Sequence, residues 1–261
     1  MLALAGRVAV VTGGGRGIGA ATAAALAKAG ASVAVLARSQ GQVSTVAALL
    51  ASQGARSLAV AADVADPAAV AGAFVKIANT LGPIDVLINN AGVVAPLGPT
   101  GRIDPEAWQA AVAINLAGPF SCIRAVLPGM LARRWGRIVN VSTGAATGTG
   151  MIHANAYSVS KAGLEMLTVN LATELADSGV TVNAVRPGGV DTSMQTQIRT
   201  GDPAKIGATL VARFQAAYAS GRLLPVERPA QLIVRLIAQD ATGEIIDISD
   251  PRGQALLAEP H

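Results

Sequence analysis

The stretch "RVAVVTGGGRGIG", residues 7–19, joins a short apolar run to a glycine-rich turn. The apolar run predicts a β-strand, and the Ala-rich residues after the turn predict a helix. Glycines let a backbone approach a ligand closely, and a helix N-terminus offers free N–H groups to a phosphate. Such a run is often an ordinary loop, but at the opening of a strand-helix-strand unit it favours dinucleotide binding. The predicted binding residues are Gly13, Gly15, Arg16, Gly17, Ile18 and Gly19.

Outward from this turn, short β-branched runs alternate with longer Ala/Leu-rich stretches. The runs are apolar without polar alternation, as in parallel strands that are buried on both faces and joined by helical crossovers. We expect an α/β fold: a single-domain, Rossmann-type doubly wound parallel sheet flanked by helices, over residues 1–261. Strands are predicted at 7–11, 32–37, 57–62, 84–89, 137–142, 180–186 and 244–248, and helices at 17–29, 42–53, 67–81, 106–133, 156–176 and 229–239.

Residues 189–225 mix Gly, Thr, Gln and Arg with weak periodicity. This pattern suits a mobile substrate lid better than a core element. The end of the chain, from residue 236 to 253, predicts a short last strand whose packing the sequence leaves open.

Composition excludes several functions. The single cysteine, Cys122, rules out an internal disulfide framework and reads as a small core residue, and no Cys/His cluster has metal-site spacing. No signal peptide or membrane span is expected, so we predict a cytoplasmic protein. The pI is near 9.7, but the net charge is only +4, aromatics are 3%, and no Lys/Arg block occurs, which argues against nucleic-acid binding.

The charge pattern bears on the cofactor. Residues 1–62 contain five basic residues and no acid, and the first acid is Asp63. Where a carboxylate about 20 residues beyond the glycines would hold the ribose 2′-hydroxyl of NAD, the chain has Ala37 and Arg38. Arg38 and Arg16 suit a 2′-phosphate, with no neighbouring carboxylate to compete, so NADP(H) is favoured over NAD(H). Two solvated surface arginines are the alternative.

The segment "NAYSVSK", residues 155–161, sets Tyr157 four residues before Lys161. A tyrosine and a lysine at this spacing share one helix face, and by itself the pair is a common helix-surface coincidence. A nearby cation would favour the ionised phenol, whose ordinary pKa is near 10.

Six motifs in order closely resemble the short-chain dehydrogenase/reductase (SDR) family: "TGGGRGIG" at 12–19, "DV" at 63–64, "NNAG" at 89–92, Asn115, "YSVSK" at 157–161 and "RPGGVDT" at 186–192. The resemblance is firm over residues 5–192 and weak beyond. It implies that Tyr157 is a general acid/base, that Lys161 also binds the nicotinamide ribose, and that Asn115 supports a water path to Lys161.

The family's third polar group is a serine at the end of the fifth strand. Motif register puts Thr143 in that place, with Ser142 as the alternative, and the threonine hydroxyl has the same hydrogen-bonding capacity. The resemblance also implies cofactor contacts from Asp63, Val64, Asn90, Ala91, Gly92, Tyr157, Lys161, Pro187, Gly188, Val190 and Thr192. Asp63 could equally cap the next helix.

These observations predict an NADP(H)-dependent oxidoreductase that interconverts a secondary alcohol and a carbonyl, with Asn115, Thr143, Tyr157 and Lys161 as catalytic residues. An NAD-linked dehydrogenase and a catalytically silent nucleotide-binding module are the alternatives. The resemblance further implies a homodimer or homotetramer. Met151, Ile152, Met194 and Phe214 suggest either an apolar ligand or simple packing, and a loop histidine, His153, faces substrate or solvent.

Overall fold

The computed structural model describes residues 4–148 and 150–258. Seven parallel strands form one sheet in the order β3-β2-β1-β4-β5-β6-β7. They are β1 Val8–Thr12, β2 Ser32–Ala37, β3 Ser57–Ala61, β4 Ile84–Asn89, β5 Gly136–Val141, β6 Val180–Arg186 and β7 Ile245–Asp247. The expected doubly wound parallel sheet is therefore confirmed.

Helices cover both faces of this sheet. Their bounds are α1 Gly17–Lys28, α2 Gln40–Ser52, α3 Pro67–Leu81, α4 Pro105–Val112, α5 Gly118–Ala132, α6 Asn155–Glu174, α7 Ser193–Arg199, α8 Pro203–Ile206, α9 Ala208–Ala219, α10 Glu227–Leu236 and α11 Pro251–Ala258. Two apolar cores result, one beneath α1, α2 and α10 and the other beneath α3, α5 and α6.

The strand order creates the crevice in which a ligand would lie. The chain runs outward from β1 to β3 and then returns to the other side of β1 to form β4. The loops that leave β1 and β4 therefore diverge at the carboxyl edge of the sheet, which is where ligands bind in doubly wound folds. The glycine turn of residues 13–17 lies at this edge, between the end of β1 and the start of α1.

The helix predicted over 106–133 is not α-helical throughout. A π-helix, Ala113–Ala117, joins α4 to α5, so the helical run is continuous. Its central residue, Asn115, is fully buried, and its side-chain amide binds both the N–H and the C=O of Val93. The apolar sequence pattern carries no sign of this bulge, because the cause is a contact with a loop more than 20 residues away.

No helix was predicted over 189–225. That segment contains α7, α8 and α9, which we call the 193–219 segment. Its apolar side chains pack with Tyr157 in a third apolar cluster. The segment is therefore attached to the rest of the protein by these apolar contacts. The sequence also missed α11, which packs against α10 and β7.

One helical run in the described part of the chain, Pro105–Ala132, has the length and apolarity of a membrane span. In this fold, α4 packs on α6, and α5 packs on α3 and β4. The run therefore has the environment of a core helix. Cys122 lies within it, and burial raises the pKa of its thiol to about 12.

Candidate active site

A crevice of about 580 Å³ opens at the carboxyl edge of the sheet. It is bounded by the glycine turn, the loops after β2 to β6, the first turns of α6 and the 193–219 segment. The sequence-predicted residues that line it are Gly13, Gly15, Arg16, Gly17, Ile18, Arg38, Asp63, Val64, Asn90, Ala91, Gly92, Thr143, Tyr157, Lys161, Pro187, Gly188, Val190 and Thr192. One cavity thus brings together residues spread over 180 positions of sequence.

Two predicted residues do not line the crevice. A Cβ on Gly19 would lie 2.3 Å from the carbonyl oxygen of Gly13, so this glycine lets α1 pack tightly against the turn. Asn115 is buried beneath the surface, where its Nδ2 donates to the carbonyl oxygen of Val93 at 2.8 Å and to Ser160 Oγ at 3.1 Å. Both residues therefore shape the walls of the crevice from behind.

The glycine turn is attached to the end of β4 by a set of hydrogen bonds. The Thr12 hydroxyl accepts from the backbone N–H groups of Asn90 and Ala91, at 3.0 and 3.1 Å. In return, Asn90 Nδ2 donates to the carbonyl oxygens of Thr12 and Gly13. Thr12 was not predicted as a site residue, since a threonine that ends a strand gives no functional signal in sequence.

The N-terminus of α1 suits a phosphate. Side chains of Ser39, Asp66 and Asp104 cap the N-termini of α2, α3 and α4. At the N-terminus of α1 the capping position is Arg16, whose side chain makes no capping hydrogen bond. The first-turn N–H groups of α1 therefore have no side-chain acceptor, and they lie where the helix dipole favours an anion.

Tyr157 and Thr143 meet on one wall of the crevice. The Tyr157 side chain is buried, and Tyr157 and Thr143 both line this wall. Burial raises the pKa of Tyr157, and the nearby Thr143 hydroxyl opposes this rise by stabilising the phenolate. Thr143 is itself fixed at the start of a short 3₁₀ turn, where its Oγ1 accepts from the N–H of Ala145 at 3.2 Å.

Lys161 lies one helical turn beyond Tyr157 and faces the same crevice. Its Nζ donates to the carbonyl oxygen of Val141, the last residue of β5, at 2.7 Å. Burial lowers the pKa of Lys161 to about 8, and the carboxylate of Glu165 opposes this lowering. The expected lowering of the Tyr157 pKa by Lys161 is not found, because desolvation of the buried phenol dominates.

Ser142 and Thr143 have different partners. Ser142 Oγ donates to Glu165 Oε1 at 2.6 Å, inside the protein. The same carboxylate accepts two bonds from Arg186, from Nε at 2.8 Å and from Nη2 at 2.7 Å. The hydroxyl that faces Tyr157 is thus that of Thr143.

Arg38 does have a neighbouring carboxylate, contrary to the prediction. Its Nη1 lies 4.0 Å from Asp63 Oδ2, and the two side chains are 66% and 41% exposed. β2 and β3 are parallel, with Ala37 opposite Ala61, so residues that are distant in sequence follow them at one edge. Asp63 does not cap α3: Asp66 does, and Asp63 accepts from the N–H of Ala65.

The end of the crevice beyond Tyr157 is mainly apolar. Met151, Met194 and Phe214 line it, as do Val94 and Ile198, which the sequence did not single out. Ile152, by contrast, is 53% exposed and lies outside the lining. Further unpredicted lining residues are Ser39, Gln42, Ile114, Gln195 and Gln197.

His153 connects the loop before α6 to the 193–219 segment. Its Nδ1 lies 3.0 Å from the carbonyl oxygen of Ile206, and its own carbonyl oxygen accepts from the N–H of Gly98. The residue is therefore a contact between segments rather than a solvated side chain, and it does not line the crevice.

The fold and this site define a class of nucleotide-dependent oxidoreductase, and comparison with known proteins agrees. Residues 7–203 match the family model described as short chain dehydrogenase. The chain is 39% identical over 244 residues to cis-4-hydroxycyclohexanecarboxylate dehydrogenase of Sinomonas cyclohexanicum, covering 94% of each.

Solved structures give the same answer. NAD⁺-bound xylitol dehydrogenase superposes with a TM-score of 0.85 at 28% identity, over 94% of this chain and 98% of that one. An actinorhodin polyketide ketoreductase variant with NADPH superposes with a TM-score of 0.82 at 32% identity, over 95% and 97%. The chain belongs to the short-chain dehydrogenase/reductase family and is an enzyme of that oxidoreductase family.

Proposed function

We propose that this protein is an NADP(H)-dependent oxidoreductase that interconverts a secondary alcohol and a ketone by hydride transfer, with Tyr157 as the general acid/base. The observation that carries the proposal is the convergence of Thr143, Tyr157 and Lys161 on one wall of the crevice, with Tyr157 and Lys161 buried and one helical turn apart. The crevice that holds this group also contains the uncapped N-terminus of α1.

The lining residues fit a nicotinamide dinucleotide. The pyrophosphate would bind at the turn of Gly13 to Ile18, the adenosine half near Asp63, Val64 and residues 90–92, and the nicotinamide half near Lys161 and residues 187–192. When bound, the nicotinamide supplies or accepts the hydride. Gly19 and Asn115 would contribute by shaping the turn and the β4 loop.

The proton chemistry follows from the protonation states. In reduction, neutral Tyr157 donates its proton to the carbonyl oxygen, while Thr143 donates a hydrogen bond that steadies the same oxygen. Thr143 stabilises the phenolate left behind. Lys161 does not lower the resting pKa of Tyr157, and in our proposal its positive charge acts on the phenolate only while Lys161 is protonated. In oxidation, the phenolate accepts the alcohol proton. Asn115 orders the wall behind Lys161 and supports a proton path to it.

NADP(H) is favoured because Arg38 and Arg16 both line the adenosine end of the crevice. Asp63 partly offsets Arg38, but at 4.0 Å and with both groups exposed, this pair is weak and a phosphate dianion would compete with it. The Asp63 carboxylate and the NAD⁺-bound relative are the observations that favour the NAD-linked alternative. Binding of NADPH and NADH to the wild-type protein decides between them: tighter NADH binding would reject our assignment.

The substrate is proposed to be an uncharged, apolar carbonyl compound. Among the described residues, Val94, Met151, Met194, Ile198 and Phe214 line the end beyond Tyr157, and no charged side chain lies with them. A keto acid and its methyl ester, such as 4-oxocyclohexanecarboxylate and its ester, form a matched pair for NADPH oxidation assays. The ester should have the higher kcat/KM. A preference for the acid would contradict this substrate class, and silence of a whole ketone panel with tight NADPH binding would favour the silent module.

An assembly is also proposed. Phe120 on α5 and Val159 and Met166 on α6 are 52%, 55% and 59% exposed, and the last two lie two turns apart on one helix face. Pairing this face with a second copy of the chain would bury them, giving a homodimer or homotetramer. Light scattering of wild type and Met166→Glu tests it, and a monomeric wild type would reject it.

The remaining assignments are a single SDR domain over 1–261, residues 189–225 as its substrate lid, and a cytoplasmic location. A single cooperative unfolding transition tests the single domain, and cell fractionation tests the cytoplasmic location. Two separated transitions, or recovery in the membrane fraction, would count against them.

A further inference from the structure

We propose that Glu165 is a positioning residue of this active site: held by Arg186 and Ser142, its buried carboxylate is the fixed counter-charge that keeps the Lys161 ammonium charged beside Tyr157. The inference rests on the proposed function, but its main measurement needs no turnover.

The geometry around the carboxylate is fully specified. Glu165 follows Lys161 by one helical turn, and the two residues are 6% and 3% exposed. Three charge-assisted hydrogen bonds of 2.6 to 2.8 Å, one from Ser142 and two from Arg186, fix both carboxylate oxygens. Both oxygens of the buried carboxylate are therefore held by donors.

The carboxylate acts on Lys161 through space. Burial makes the ammonium costly, and Glu165 is the charged group that opposes this cost and raises the Lys161 pKa. Because both residues are buried, solvent screens their attraction less than it would at the surface. Arg186 has the opposite sign and shares the same carboxylate, so it moderates the field at Lys161. The other charged groups that face this region are Asp247 and Asp250, which act on Arg186, and Arg16, Arg38 and Asp63 across the crevice.

The same clamp fixes the neighbouring elements. Ser142 precedes Thr143 at the end of β5, and Arg186 precedes Pro187 at the end of β6. One carboxylate on α6 therefore links the segment that bears the Thr143 hydroxyl to the segment that lines the crevice at Pro187.

Lys161 can be titrated directly. The chain has four lysines, and Lys28, Lys76 and Lys205 are exposed while Lys161 is buried. After labelling with ¹³Cε-lysine, the Lys161 resonance is assigned by its loss in Lys161→Met and followed through pH. The resonance lost in Lys161→Met should have its midpoint near pH 8, since burial lowers the pKa of Lys161 to about 8.

Two variants should move the Lys161 midpoint in opposite directions. Glu165→Gln removes the counter-charge and leaves Arg186 unpaired, so the midpoint should fall by about one unit, a tenfold change in proton affinity. Arg186→Met removes the opposing cation, so the midpoint should rise. Glu174→Gln removes an exposed carboxylate from the same helix and should leave it unchanged. An unchanged midpoint in Glu165→Gln would overturn the proposal.

A folding failure would not leave the question open. The double variant Glu165→Gln/Arg186→Met removes both charges at nearly constant volume, and its midpoint should lie between those of the single variants. If Glu165 had a purely structural role, stability would fall in all three variants, and the Lys161 midpoint would not change in the order given above. That result would also overturn the proposal.

The pH profile of ketone reduction provides the second readout. In our proposal activity needs charged Lys161, so activity falls at high pH as Lys161 loses its proton. This alkaline limb of the profile should shift to lower pH in Glu165→Gln and to higher pH in Arg186→Met. A silent wild type with the expected lysine titration would reject the proposed function alone. An active wild type whose lysine midpoint and alkaline limb ignore Glu165→Gln would reject this inference alone.

Discussion

Thr143 and Tyr157 line one wall of the crevice, where the Thr143 hydroxyl opposes the rise in the pKa of the buried Tyr157 phenol. The preceding hydroxyl, that of Ser142, points into the protein and is bound by Glu165 at 2.6 Å. The two adjacent hydroxyls that follow β5 therefore have different partners.

Thr143→Ala should lower kcat for ketone reduction by about 10²-fold, since it removes a donor aimed at the reacting oxygen. Thr143→Ser keeps that hydroxyl and should stay within about threefold of wild type. Ser142→Ala should cost less than Thr143→Ala, because Glu165 keeps both bonds from Arg186. Steady-state kinetics with NADPH measure all three, and a larger loss in Ser142→Ala would reverse the two roles.

Tyr157→Phe keeps the buried ring and removes the acid. Turnover should fall by about three orders of magnitude, while NADPH affinity measured by calorimetry changes little. Equal turnover in the variant and wild type would exclude Tyr157 as the proton donor.

Arg38→Ala should weaken NADPH binding by about tenfold or more and leave NADH binding nearly unchanged, because only NADPH has the 2′-phosphate. Asp63→Asn is the matched control: it frees Arg38 from its 4.0 Å partner and should raise the preference for NADPH. Fluorescence titration with the two cofactors measures both. A preference that neither variant alters would mean that Arg38 is a solvated surface group.

The pH dependence follows from two shifted groups. Burial holds the pKa of Tyr157 above its ordinary value, so the phenol keeps its proton through neutral pH. The pKa of Lys161 is about 8, so its charge is lost as the pH rises through that value. Reduction should therefore be level at neutral pH and decline above about pH 8. In Lys161→Arg the cation persists, and this decline should disappear even where the rate is lower.

The contact between His153 and the 193–219 segment is testable through Gly207. This glycine has φ 100°, and a Cβ there would lie 2.1 Å from His153 Nδ1. Gly207→Ala should therefore dislodge the segment and raise KM for the ketone more than KM for NADPH. Gly221→Ala controls for backbone strain, since φ is 64° and a Cβ there meets nothing within 4 Å. Equal effects of the two variants would show that the His153 contact does not matter.

Much of the fold was predictable because its signals are local. Uninterrupted apolar runs such as 84–89 and 180–186 predicted buried parallel strands, and the helix predicted over 67–81 has the bounds of α3. The π-helix was not predictable, because it depends on the contact of Asn115 with Val93. The three helices of the 193–219 segment were missed because they are short, and their apolar residues face a small cluster around Tyr157.

The sequence motifs predicted which residues line the crevice. They did not predict the pKa values and ion pairs of those residues, which depend on tertiary contacts. Tyr157 and Lys161 lie on one wall, as their spacing predicted, yet the Tyr157 pKa moves opposite to expectation because sequence does not report burial. Asp63 was read as distant from Arg38, although parallel strands place them side by side. Glu165 was not noticed, since a glutamate in a helix carries no sign that Arg186 and Ser142 will bind it.

The π-helix of Ala113–Ala117 makes the chain intolerant of length changes in this region. Its wider turn accommodates one residue more than a regular helix would, and each helical residue advances the side-chain direction by about 100°. Deleting one residue here would straighten the helix and rotate either Asn115 away from Val93 or the whole apolar face of α5 away from α3. We expect insertions and deletions within these five residues to destabilise the protein. The turns at the opposite edge of the sheet should tolerate such changes.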